Sequence, residues 1–211
     1  MAQFLSKTLA PKLRVVEGGS ANPAPPSDDE LLEAFARGDS QIAELLYDRL
    51  AGSVDSTLIR VLGKRDQDHD DLVQAAFEQI LLSLAGGRFA RACSLKSWAI
   101  AITTNVALNA IRRRRSERRF VDRDQDTQQL HVVSHGMDPE RAAHLGALRN
   151  ELARISPATA QVVLLHEVMG CSLAEVSVLT GLSRAAAQSR LVRGRDELRR
   201  RLNLSDSGEP S

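Results

Sequence analysis

Taken by the spacing of its apolar positions, the 211-residue chain divides into a succession of amphipathic helices. Leu31, Leu32 and Phe35 lie behind Asp28 and Asp29, which are expected to cap the first helix, and Gly38 ends it. Ser40 is expected to cap a second, with Ile42, Leu45, Leu46, Leu50 and, after Gly52, Val54, Leu58 and Val61 inward. Val73, Phe77, Ile80, Leu81 and Leu84 then recur at i, i+4, i+7, i+8 and i+11. That helix starts in the acidic run 66–71, whose charge suits the positive end of a helix dipole. Gly86-Gly87 breaks it. A loop leads to Trp98, and residues 98–119 predict a helix whose first half is apolar nearly all round, hence buried in the middle of its domain. No segment alternates as a strand over any useful length, so the predicted class is all-α.

Residues 1–27 end in a Gly/Pro/Ser/Ala stretch and are expected to form a disordered leader. Residues 28–119 form one small helical domain and 141–203 a second. Between them, 120–140 is polar and aperiodic and is expected to be a flexible linker; 204–211 is a tail. In the second domain Leu145, Leu148, Leu152 and Ile155 point inward. Ser156-Pro157 opens a helix carrying Val162, Val163, Leu165 and Val168, which Gly170 closes. From Ser172 to Leu202 the pattern is a helix-turn-helix: a Ser172/Glu175 capping box, Gly181 to stop the first helix, and Ser183 to cap the next. Ala187, Leu191, Leu198 and Leu202 give the second helix an apolar face. Ala185, Ala186, Ser189, Arg193, Asp196 and Arg200 lie opposite, with Gln188 and Val192 flanking.

Composition changes this picture in one respect. The net charge is only +1, yet the charges are segregated: carboxylates at 28–33 and 66–71, six arginines among the eight residues 112–119, and seven between Arg184 and Arg201. A chain polarised in this way can turn one surface to DNA and another to a basic protein. The alternative is that the arginines are solvated helix faces. Cys93 and Cys171 stand far apart with no His or Cys at ligand spacing, so no metal and no cofactor is expected. No nucleophile arrangement or phosphate-cradling glycine loop suggests an enzyme. The absence of a signal-peptide core or a bilayer-length apolar run makes a cytoplasmic protein the expectation.

Several segments, in order, resemble the extracytoplasmic-function sigma factors, a two-domain class of bacterial transcription initiation factor. DHDDLVQAAFEQI is similar to the family's D-x-x-D-L-V-Q-E-x-F segment at Asp68, Asp71, Leu72, Val73, Gln74 and Phe77. SLKSWAIAITTNVALNAIRRRR is similar to W-L-x-x-I-A-x-N-x-x-x-D-x-x-R-R at Trp98, Ile102, Asn105, Arg112 and Arg113, with Asn109 where the pattern has Asp. SRLVRGRDEL resembles S-R-L-x-R-A-R-x-x-L.

The resemblance implies that Asp68, Asp71, Leu72, Gln74 and Phe77 bind core RNA polymerase, at the clamp helices of its largest subunit. It implies a further contact to the flap of the second-largest subunit. A −10 promoter element is then read by the 86–97 loop and the following helix, through Lys96, Asn105, Asn109, Arg112, Arg113, Arg115 and Arg118. For Asn105 and Asn109 a buried structural amide is the competing reading. Duplex DNA at a −35 element is read by Arg184, Ala185, Gln188, Ser189, Arg190, Val192 and Arg193. An anti-sigma protein between the domains is a further partner that the tether admits. A helix-turn-helix regulator that recruits no polymerase is the alternative function.

Overall fold

The computed structural model describes residues 26–39, 41–124 and 139–206, and every regular element among them is helical. Residues 1–25 of the expected leader and most of the expected linker lie outside the described residues, as do Ser40 and the end of the tail. The first unit is built from α1 (Asp28–Arg37), α2 (Ile42–Leu62), α3 (His69–Ala85) and α4 (Leu95–Asp124).

Ser27, not Asp28 or Asp29, caps α1. Its hydroxyl accepts from the Glu30 amide at 3.3 Å, and the Glu30 carboxylate accepts from the Ser27 amide at 2.7 Å. Asp28 is thereby released for a longer-range task. It accepts from the Leu95 amide at 3.1 Å and from Arg49 at 3.2 Å, tying α1 to the start of α4 and to α2. α2 runs unbroken through Gly52. A helical glycine costs roughly 1 kcal/mol, and the fully buried Leu50, Val54 and Leu58 on either side offset it. Leu45, expected inward, is exposed.

α4 is the central element. It begins at Leu95, three residues before the expected start, because the Ser94 hydroxyl accepts from the Ser97 amide at 3.1 Å and closes the first turn. It also runs on to Asp124, into the stretch expected as linker. Leu95, Ala99, Ala107 and Leu108 are fully buried, as the all-round apolar pattern predicts, and the small residues among them let α2 and α3 approach closely. Thr103 and Thr104 are buried there as well. Each hydroxyl donates 2.8 Å back to the carbonyl four residues earlier, so neither is left unpaired.

The second unit comprises α5 (Pro139–Leu152), α6 (Pro157–Val163), a π turn (Leu164–Val168), α7 (Leu173–Thr180) and α8 (Arg184–Asp206). The π turn inserts one residue into the helical register. This explains a missed expectation: Val168, placed inward at regular spacing, faces solvent. Gly170, with φ +75°, then turns the chain toward α7. α8 crosses α6 at Gly194, and buried side chains of both units join in one continuous apolar core.

Candidate nucleic-acid and polymerase interfaces

The helix-turn-helix forms as its local sequence dictates. Ser172 and Glu175 make the expected reciprocal bonds, at 3.3 and 2.8 Å, and Gly181 takes φ +69°. The Ser177 hydroxyl donates to the Leu182 carbonyl and the Ser183 hydroxyl accepts from the Ala186 amide at 3.2 Å, which fixes the turn. Val176, Ala187 and Leu191 seal the contact between α7 and α8 with almost no exposure. The bonds from Ser172 hold the Glu175 carboxyl below its usual pKa. A carboxylate whose pKa is depressed on folding stabilises the fold above its unfolded value, and that contribution is lost as pH falls through the folded one. Ser172→Ala is expected to cost about 1 kcal/mol, read as a lower urea midpoint; an unchanged midpoint would show that the cap is dispensable.

α8 presents Arg184, Ala185, Gln188, Ser189, Val192 and Arg193 to solvent. Arg190 is half-buried, as is Ala186, which leans toward the packed side. Arg184, Arg190 and Arg193 have no ion-pair partner among the described residues, whereas the arginines further along α8 are engaged. Arg195 pairs with Glu167, Arg199 lies 3.4 Å from Asp196, and Arg201 pairs with Glu197 at 2.7 Å. Arg201 also lies 3.9 Å from the buried Glu151, which Arg154 holds at 2.6 Å. The N-terminal half of α8 therefore combines exposed donors with cations that have no carboxylate partner among the described residues, whereas in its C-terminal half Arg195, Arg199 and Arg201 are paired and the exposed Arg200 donates to the Asp196 carbonyl at 3.3 Å.

On α4, Asn105 and Asn109 are exposed one turn apart, so neither is the buried amide that the sequence leaves open. Lys96 is exposed at the first turn. Trp98 is half-buried and stacks on Phe89 at 5.0 Å, which makes it a support for the 86–97 loop. The arginines divide. Arg112 leaves the expected face: its guanidinium donates 3.4 Å to the Ile155 carbonyl of the second unit, and burial pulls its pKa down. Arg113 is exposed, within 3.8 Å of Asp68 and 3.5 Å of Glu117. Arg115 is half-buried, and the side chain of Arg118 lies outside the described residues.

The expected polymerase face on α3 is also redistributed. Asp71 and Gln74 are exposed along one stripe with Glu78 and Leu82. Leu72 and Phe77 are only 6% exposed, so they hold the stripe from behind and do not form its surface. Phe77 packs on Tyr47 of α2 with ring centroids 4.7 Å apart. Asp68 is held by Arg114, which also lies 3.0 Å from Asp66. Sequence spacing could not reveal this pairing, because the partners lie 46 and 48 residues apart.

Two family models match the chain: Sigma-70 region 2 over residues 46–117 and Sigma-70, region 4 over residues 145–198, together more than half of it. The chain is 29% identical over 168 residues to the RNA polymerase sigma factor CarQ of Myxococcus xanthus, a match covering 80% of this chain and 93% of that protein. It is 30% identical over 184 residues to the ECF RNA polymerase sigma factor SigE of Mycolicibacterium smegmatis, covering 83% of this chain and 62% of the other. Among solved structures it is similar to CnrH in complex with the cytosolic domain of CnrY, at 22% identity and a TM-score of 0.49, covering 86% and 99% of the two chains. No helix among the described residues is long and apolar enough to cross a membrane.

Proposed function

The chain belongs to the sigma-70 family of RNA polymerase sigma factors, within its extracytoplasmic-function class, and from that premise we propose how its surfaces divide the work of transcription initiation. Residues 28–119 serve as the unit that docks on core polymerase and engages the −10 element; 141–203 serve as the unit that engages the −35 element.

The observation that carries this assignment is the segregation of exposed groups. Asp71 and Gln74 stand on α3, Asn105 and Asn109 with Lys96 on α4, and unpaired cations with Gln188 on the first half of α8. Side-chain amides both donate and accept, as the edges of unstacked bases require. Gln188 suits adenine in a major groove, and Arg184, Arg190 and Arg193 suit phosphates or guanine. Asp71 and Gln74 offer an acidic and polar stripe to a basic partner.

Run-off transcription with purified core polymerase tests the reading, using promoters found by mapping transcript starts after overexpression. The full chain is expected to bind core and start transcripts. If it bends or binds duplex DNA yet neither binds core nor starts any transcript, it is a helix-turn-helix regulator. Asn105→Ala with Asn109→Ala is expected to lower open-complex formation about 10-fold or more, since each lost base contact is worth roughly 1–3 kcal/mol. Core binding measured by native electrophoresis should stay unchanged in that variant; equal open-complex yields would remove α4 from base reading.

A further inference from the structure

We propose that the chain carries a binding site for a small phosphorylated molecule of about nucleotide size, in the cleft between α2 and the start of α4. The cleft has a volume of about 430 Å³, enough for such a ligand. One stripe of α2 supplies its donors: Ser53, Thr57 and Arg60 follow at i, i+4 and i+7, along about 10 Å of helix. Lys96 lines it from the first turn of α4. Arg60 and Lys96 are exposed, and neither has an ion-pair or hydrogen-bond partner among the described residues. The two hydroxyls are the decisive feature. Thr57 is 2% exposed and Ser53 9%, yet both line the cleft, and neither hydroxyl has a hydrogen-bond partner among the described residues. A helical threonine can donate back one turn, as Thr103, Thr104 and Thr180 do here. Thr57 does not, and a buried hydroxyl without a partner is unfavourable. A ligand oxygen in the cleft completes both bonds.

The donor set points to a phosphate. Two hydroxyls, a guanidinium and an ammonium together suit a multiply charged, acceptor-rich anion, and a phosphate group offers three strong acceptor oxygens. Arg49 also lines the cleft, but the Pro26 carbonyl and Asp28 already hold it. Asp48 stands beside Arg49, twelve residues before Arg60, and it too lines the cleft. Its carboxylate repels an anion and accepts from a hydroxyl or amino group, which orients the ligand with its phosphate toward Arg60. Ile100 and Met169 supply an apolar wall for the remainder. An anion at one end and hydroxyl or amino groups at the other is the pattern of a nucleotide. Lys96 belongs to the proposed −10 set as well, so an occupant competes with the DNA strand for it. That consequence rests on the −10 reading, whereas the site itself does not.

Calorimetric titration of the full chain with ATP and with inorganic pyrophosphate, without DNA or polymerase, tests the site. ATP is expected to bind, and pyrophosphate to bind more weakly. Thr57→Val, which keeps the side-chain shape and removes the hydroxyl, is expected to weaken ATP at least 5-fold, as is Arg60→Gln. Arg60→Lys, which keeps the charge but not the planar fork, should fall between. Ser53→Ala provides a second loss of a hydroxyl should Thr57→Val fail to fold. Arg65→Gln is the control, because Arg65 pairs with Asp55 and does not line the cleft; its affinity should match the parent chain. Equal losses in Arg60→Gln and Arg65→Gln would reduce the effect to general charge attraction and overturn the site. Failure of both probes to bind would overturn it too. So would a single-stranded oligonucleotide that alone depends on Arg60, since the cleft would then be a strand contact. A chain that binds ATP as expected yet starts no transcript keeps the site and defeats the proposed function.

Discussion

A methyl group at position 194 is expected to destabilise the helix-turn-helix unit, although alanine is the better helix former. Gly194 lies where α8 crosses α6. A Cβ there would stand 2.6 Å from Val163 Cγ2 and 2.8 Å from Thr159 Cγ2. Both are β-branched side chains on a packed helix, with one dominant rotamer for valine and few alternatives for threonine, so neither can swing away cheaply. Replacing glycine by alanine in a helix gains roughly 1 kcal/mol. Overpacking a core typically costs about 1–3 kcal/mol, and at these distances α8 must shift as a body. Gly194→Ala should therefore lower the thermal midpoint, and Gly194→Val should lower it further. Combining Gly194→Ala with Val163→Ala, which removes one of the two obstructing groups, should cost less than the sum of the single changes. A raised midpoint in Gly194→Ala would show that the crossing has slack.

Arg184→Ala with Arg193→Ala is expected to abolish most duplex affinity while leaving the fold intact. Both arginines are exposed and neither has an ion-pair partner among the described residues, so their loss leaves no orphaned carboxylate. Each phosphate contact removed should lower the slope of log affinity against log salt by roughly 0.9. The double variant should thus bind about 10-fold or more weakly at moderate salt, with a slope lower by about 2. Fluorescence anisotropy on a labelled duplex at several salt concentrations measures both quantities. Arg195→Ala is the contrasting case, because Arg195 is already neutralised by Glu167; its slope should hardly move. Equal effects at all three positions would mean that α8 contributes only general positive charge.

Most of the local architecture was legible from the chain because it depends on neighbours three or four residues apart. The Ser172/Glu175 box, the left-handed Gly181 and the apolar face of Ala187, Leu191 and Leu198 are all of this kind. The failures have equally definite causes. Asp28 and Asp29 lost the cap of α1 to Ser27 because a glutamate three residues on completes the box, and Asp28 has a stronger use at the Leu95 amide. Val168 failed because a π turn shifts the register, and nothing in a regular 3.6-residue pattern announces one. Leu72 and Phe77 match the family pattern, but a match does not tell a side chain that makes a surface from one that supports it.

The sequence by itself determined that this chain is helical, where its helix-turn-helix begins and turns, and to which family it belongs. These follow from short-range hydrogen bonding, glycine conformations and the periodic burial of apolar groups. Only the tertiary structure decided which charges remain available. Arg112 and Arg184 read alike along the chain, yet one is spent on the Ile155 carbonyl and the other is exposed. Asp68 and Asp71 read alike as well, and Arg114 takes the first and leaves the second. The physical reason is that an ion pair or a buried guanidinium depends on groups brought together across forty or more residues of sequence, and only the packing of α4 against both units brings them there.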